Sequence, residues 1–229
     1  MIALGKSDII QRKQLVSFLW LEFLGTLFIT LSYNLAGKNF EGVALTFFLA
    51  TLWSWQHSCA HFNIALTLGE AIYNFDTIGE HWKGYLYVIA TQTVATLFGI
   101  LVTFFITRVT VVNDWTKTFS PAPPTLCPAM NGFRCTSGNE QQPVLKFEFI
   151  CSTMFVFSWL IIRNFESHTT YNGISNIVKP FMVYFVYFTC IAYGATTSYG
   201  TLNPTLAFGV LIWDAWAYGS SNVSAAVDA

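Results

Sequence analysis

Apolar residues run along this chain in long blocks, and no Asp, Glu, Lys or Arg occurs from Gly42 to Gly69, from Gly84 to Thr107, or from Pro180 to Trp213. Blocks of this length predict helices that cross a bilayer, because a hydrocarbon core of about 30 Å takes roughly 20 helical residues. Five crossings are expected, near Leu15 to Ala36, Val43 to His57, Gly84 to Ile106, Val144 to Ile162 and Lys179 to Ala195. A polar segment, 1–14, precedes a membrane domain of 15–213, and 214–229 form a short tail. The first apolar run has no small-residue cleavage signature after it and reads as a retained signal-anchor. A slight excess of Lys and Arg on the inner side then places the N-terminus in the cytoplasm.

Two of the uncharged runs are too long for one crossing. As a single helix, Pro180 to Trp213 would reach about 50 Å, so it must break. Gly194 and Gly200 can break it, and Asn203-Pro204 writes a fresh start, with Asn as N-cap and Pro in the first helical position. From Asn203 to Trp213 a helix rises only about 15 Å, half the core. The run from Gly42 to Gly69 overshoots in the same way and is interrupted by Gln56, His57, Ser58, His61 and Asn63. A second half-helix, from Asn63 to about Phe75, resolves it. Non-helical backbone at membrane depth is tolerated only where protein buries it or a wet cavity borders it, so two dipping segments imply an aqueous path or a binding site.

The two dips also echo one another. Asn63-Ile64-Ala65-Leu66-Thr67-Leu68-Gly69 aligns with Asn203-Pro204-Thr205-Leu206-Ala207-Phe208-Gly209 at Asn, Leu and Gly. Before them, Glu22-Phe23-Leu24-Gly25-Thr26 matches Glu148-Phe149-Ile150-Cys151-Ser152, each with an acid inside an apolar helix. An odd number of crossings between the two copies inverts the second relative to the first, and an inverted repeat with two half-helices is a transport architecture.

Composition narrows the classes further. Hydrophobic residues make up 54% of the chain and charged residues 10%, against about 25% in soluble domains, which argues for lipid as the main solvent. A net charge of −1 leaves no electrostatic footprint for nucleic acid. The one stretch resembling a soluble loop, 108–143, contains Pro121, Pro123, Pro124 and Pro128 and falls on the outer side of this topology. Cys127 and Cys135 lie in it, as a disulfide or as two free thiols. Cys59, Cys151 and Cys190 read as small core residues. Phe181, Tyr184, Phe185, Tyr187 and Phe188 read as lipid or neighbour-helix packing, and Trp213 and Trp216 as an interfacial anchor.

His57 and His61 have the spacing of two ligands on one helix face, but a complete metal site needs three or four. No metal, cofactor or catalytic residue is therefore assigned, and no phosphate-binding Gly loop, Cys-x-x-Cys pair or Gly-x-Ser-x-Gly elbow is present. Asn222-Val223-Ser224 matches a glycosylation sequon.

At this point the residues resemble the major intrinsic protein family of aquaporins and glycerol facilitators. Ser58 to Gly69, with His61 before Asn63, is similar to that family's first Asn-Pro-Ala box, and Leu202 to Gly209 to its second. Glu22 and Glu148 resemble its repeat starts. The resemblance implies an all-α membrane fold with five full helices here and two re-entrant half-helices. It places Asn63, Ile64, Ala65, Asn203, Pro204 and Thr205 at a pore centre, and Glu22, His61 and Glu148 as braces of the dipping loops. Counted without gaps, it puts an outer filter at Val43, Ile191, Gly200 and Leu206. Three features depart from the pattern: Ile64 stands in place of the first Pro, Leu206 where an Arg is usual, and Asp214 to Ala229 is too short and polar for a sixth span.

Two functions fit. The first is a passive channel for water or another small uncharged solute, surrounded by lipid and, by resemblance, assembled as a homotetramer. The second is a non-conducting structural subunit of a larger membrane complex. Facing half-helix starts favour neutral solutes with oxygen acceptors and disfavour cations, whereas a bulky apolar filter can close a path by dewetting.

Overall fold

The computed structural model describes residues 8–36, 39–58, 60–111, 141–164, 172–195 and 201–218. Among these residues all regular structure is helical. In chain order the helices are α1 (Asp8–Leu35), α2 (Phe40–Ser54), α3 (Ile64–Tyr73), α4 (Ile78–Val111), α5 (Gln141–Asn164), α6 (Asn172–Ala195) and α7 (Pro204–Tyr218), with a 3-10 turn at Phe75–Thr77 before α4. Residues 108–111 and 141–143 of the expected outer loop belong to α4 and α5, while its stretch 112–140 with Cys127 and Cys135, together with Cys59, Gly200, the side chain of Trp216 and the Asn222 sequon, lies outside the described residues.

The exposed faces are apolar and much of the interior is polar, the arrangement a lipid solvent requires. Phe28, Leu49, Trp53, Phe98, Met154 and Phe185 are all exposed, while Glu22, Gln92, Thr67 and Thr103 are fully buried. Several buried hydroxyls are satisfied within their own helix. Thr30, Thr51, Ser54 and Thr103 each donate to the carbonyl four residues earlier, at 2.6–2.8 Å. Such back-bonding leaves no free donor facing hydrocarbon.

Among the described residues four helices are long and apolar enough to cross a membrane, over Gln14–Leu35, Phe75–Ile106, Lys146–Asn164 and Asn176–Tyr193. Where a crossing is expected at Val43 to His57 the chain forms the shorter apolar α2, whose 15 residues rise about 22 Å. It starts where Asn39 accepts from the Gly42 amide at 3.1 Å, with Glu41 in its first turn, and ends at the turn of Trp55 to His57. α4 is longer than expected, at 34 residues, because the polar first turn from Ile78 to Lys83 continues the helix beyond the apolar run. α7 also extends past Trp213, to Tyr218. Its Trp213 is buried against Phe104 of α4, with ring centroids 5.1 Å apart, which corrects the interfacial reading of that side chain.

Helix pairs repeat in the two halves: α1 packs on α2 as α5 packs on α6, while α2 meets α6 across the centre. Phe47 of α2 and Tyr187 of α6 stand the same number of residues before Asn63 and Asn203, and their rings stack with centroids 4.2 Å apart. Phe155 packs against both, at 5.7 and 5.1 Å. Glycine also makes room for close packing between helices. A Cβ at Gly99 would meet Thr30 of α1 at 2.8 Å, and one at Gly209 would meet Thr96 of α4 at 2.9 Å.

Candidate functional site: two asparagine-capped half-helices

α3 and α7 start at equivalent asparagines, and local chemistry explains both starts. Asn63 has an extended backbone and its Oδ1 accepts from the Ala65 amide at 2.9 Å. Asn203 repeats this with the Thr205 amide at 3.1 Å. These caps satisfy one of the unpaired N–H groups that open every helix. With each Oδ1 committed to its own helix, each Nδ2 faces outward, and it finds the other repeat. Asn63 donates to the Leu202 carbonyl at 2.7 Å, and Asn203 donates to the Phe62 carbonyl at 3.1 Å. The two helix starts are thus tied together by reciprocal bonds between segments 139 and 141 residues apart.

Aiming those carbonyls needs unusual backbone. Phe62 and Leu202 both sit in the left-handed region, with φ of 50° and 44°, as does Ala60 at 51°. Such a conformation costs on the order of 1–3 kcal/mol at a residue with a side chain. Two glutamate carboxylates offset the cost. Glu22 accepts from the amides of His61 at 3.1 Å and Phe62 at 2.9 Å, from the Ser58 hydroxyl at 3.0 Å, and from Gln92 at 3.2 Å. Glu148 accepts from the amides of Thr201 and Leu202, each at 3.1 Å. Hydrogen bonds of this charge-assisted kind are worth roughly twice a neutral one. Gly25, one turn beyond Glu22, leaves the space filled by the Phe62 ring.

The remaining predicted residues are distributed around this junction. Ile64 and Pro204 open the two half-helices, Pro204 being exposed and Ile64 half-buried, while Thr205 is buried beside Asn203. Val43, Ile191 and Leu206 are at most 2% exposed and belong to one buried cluster with Phe47, Phe62 and Tyr187. The His61 ring meets Glu70 of α3 and Trp159 of α5, His57 is exposed, and no group of three or more metal-ligating side chains occurs among the described residues.

Five participants carry roles that the sequence does not assign. Ser58, Gln92 and Thr67 extend the Glu22 network, with Gln92 donating to both Glu22 and Thr67 at 3.2 Å. Glu70 bonds His61 Nε2 at 2.6 Å, and Arg163 of α5 lies 3.7 Å from the same carboxylate oxygen. Its guanidinium lies over the rings of Trp159 and Trp55, at 5.1 and 5.7 Å. Gln92 carries the clearest signal that could have found it: a primary amide in an uncharged crossing must have an internal partner.

A scan against protein families matches residues 12–220 to the one described as Major intrinsic protein. The chain belongs to the major intrinsic protein family. A search of curated proteins finds no match. Membership fixes the broad class, an integral membrane protein of the aquaporin-like channel fold, and the match takes in both half-helices and both bracing glutamates.

Proposed function

We propose that the protein is a passive channel for water or another small uncharged solute, with the path running through the junction of α3 and α7. The observation that carries this reading is the reciprocal pair of bonds from Asn63 and Asn203. A primary amide has two N–H donors. The cross-bond uses one on each Asn and leaves a second for the oxygen of a passing solute. Each helix start adds a partial positive charge near half an elementary charge. Two such starts facing one point repel cations while neutral solutes with lone pairs lose little on leaving water.

On this reading α2 completes a fifth crossing, the N-terminus is cytoplasmic, and four copies assemble with one path each. Val43, Ile191, Gly200 and Leu206 form the outer constriction. Without a charged or polar side chain it selects by size and wetting more than by hydrogen bonding. That apolar ring is also what favours the second reading, a closed subunit that keeps the fold for assembly alone.

Purified protein reconstituted into liposomes and shrunk by an osmotic step in a stopped-flow instrument separates the two. The channel reading expects faster shrinkage than protein-free vesicles for water, glycerol or both. Rates equal to protein-free vesicles for both solutes reject it in favour of the structural subunit.

A further inference from the structure

His61 and Glu70 form a buried acid-base pair in a part of the molecule that simple packing does not require to be charged. They are 1% and 6% exposed, with Nε2 and Oε2 2.6 Å apart. An apolar side chain at position 70 would occupy the seam between α3 and α5 without the desolvation cost of a carboxylate. Arg163 at 3.7 Å supplies a compensating charge, and its own position is set by two indoles.

The pair is also wired to the asparagine turn. His61 Nδ1 lies 3.1 Å from the Thr67 hydroxyl, and that hydroxyl lies 3.3 Å from the Asn63 carbonyl. Gln92 donates to Thr67 and to Glu22, and Glu22 accepts from the His61 and Phe62 amides. A continuous polar chain therefore runs from Arg163 on α5 through α3 and α4 to Glu22 on α1, and it closes on the turn that aims Asn63.

We propose that Glu70, clamped by Arg163, is a positioning residue of the channel that orients His61 and the Asn63 turn, and that proton uptake at this latch reduces flow. This rests on the channel reading above. The charged groups around His61 come from three helices: Glu70 on α3 at its ring, Arg163 of α5 beside Glu70, and Glu22 of α1 at its backbone amide, while the titratable His57 of the preceding turn is exposed. Lys179 of α6 reaches the cluster at the Arg163 carbonyl, at 3.1 Å, and α4 contributes the neutral Gln92. With Glu70 held between His61 and Arg163, the proton goes to the imidazole, whose Nδ1 then becomes a donor and can no longer accept from the Thr67 hydroxyl, which disturbs the link to the Asn63 carbonyl.

The test is osmotic shrinkage of reconstituted vesicles at about pH 7.5 and about pH 5, a range spanning histidine titration. Wild type, Glu70→Gln and Glu70→Leu are compared. Wild-type water flow is expected to fall several-fold on acidification. Glu70→Gln keeps an acceptor for His61 and loses the pH step, whereas Glu70→Leu lowers flow at both pH values. A Glu70→Gln variant with the wild-type pH step, or a Glu70→Leu variant with wild-type flow at neutral pH, overturns the proposal.

A second measurement needs no transport. Imidazole nitrogen spectra of the detergent-solubilised protein should show a strongly hydrogen-bonded His61 Nε2, assigned by its loss in His61→Gln and absent in Glu70→Leu. Spectra without that signal in wild type also overturn the proposal. Vesicles of wild type no faster than protein-free ones reject the channel reading itself, while the spectra decide separately whether Glu70 holds His61.

Discussion

Phe62 and Leu202 occupy the same place in the two turns. Each has a left-handed backbone, with φ of 50° and 44°, and each gives its carbonyl to the asparagine of the opposite repeat. The bracing carboxylates exist to hold this pair, since Glu22 takes the Phe62 amide and Glu148 the Leu202 amide. The strained backbone, the cap and the buried acid are therefore one device written twice.

The two copies of that device are not equally supported, and their loss should differ. Glu22 is fully buried, accepting from Ser58, Gln92 and two backbone amides, whereas Glu148 is half-buried, its contacts including the amides of Thr201 and Leu202. An orphaned buried donor costs about 1–3 kcal/mol. Glu22→Ala should therefore lower the thermal unfolding midpoint in detergent more than Glu148→Ala, read by tryptophan fluorescence. Equal midpoints for the two variants would contradict the assigned roles.

Replacing an asparagine by an acid should change charge selection. Asn203→Asp removes the donor to the Phe62 carbonyl and sets a negative group against the positive end of α7. Planar bilayers carrying this variant are expected to show a cation conductance that wild type lacks. Bilayers as silent as wild type would show that the junction does not control cation exclusion.

Leu206 should govern the balance between water and larger solutes. It is 2% exposed in the same apolar cluster as Val43 and Ile191. Leu206→Arg supplies hydrogen-bond donors and narrows the constriction, so water flow should rise relative to glycerol flow in the same vesicles. A ratio unchanged from wild type would place Leu206 away from the path.

The stack of Phe47 on Tyr187 joins the two halves at their centre, 4.2 Å apart and close to parallel at 23°. Either change to Ala should cost about 3–5 kcal/mol through the cavity it leaves. The double variant should cost less than the sum, by about 0.5–1.5 kcal/mol for the aromatic pairing. Additive losses in chemical denaturation would deny a direct stack.

Much of this arrangement was legible in the sequence, for a physical reason. Uncharged runs that overshoot a bilayer must fold back, and Asn63 and Asn203 are good caps, so the two half-helix starts follow from length and local chemistry. Glu22 and Glu148 announce themselves because an acid in an apolar helix needs internal donors. Partners across helices are different. Nothing in local spacing tells Gln92 to bridge Glu22 and Thr67, or Arg163 to approach Glu70, because those contacts depend on how α4 and α5 rotate against α3. Trp213 was read as an anchor from its place at the end of an apolar run; Phe104 on α4 buries it instead. α4 and α7 run beyond their apolar stretches because a helix once started continues through residues such as Glu80, Lys83 and Asp214 that do not break it.

The central claim is that α3 and α7 enter the membrane from opposite sides and meet at their asparagine starts. Single cysteines placed at positions 73 and 218, the far ends of the two half-helices, in a background with the native cysteines removed, test it directly. Labelled in sealed vesicles of one orientation with a membrane-impermeant maleimide, the two should react from opposite sides. Labelling of both from the same side would contradict the inverted arrangement and the channel built on it.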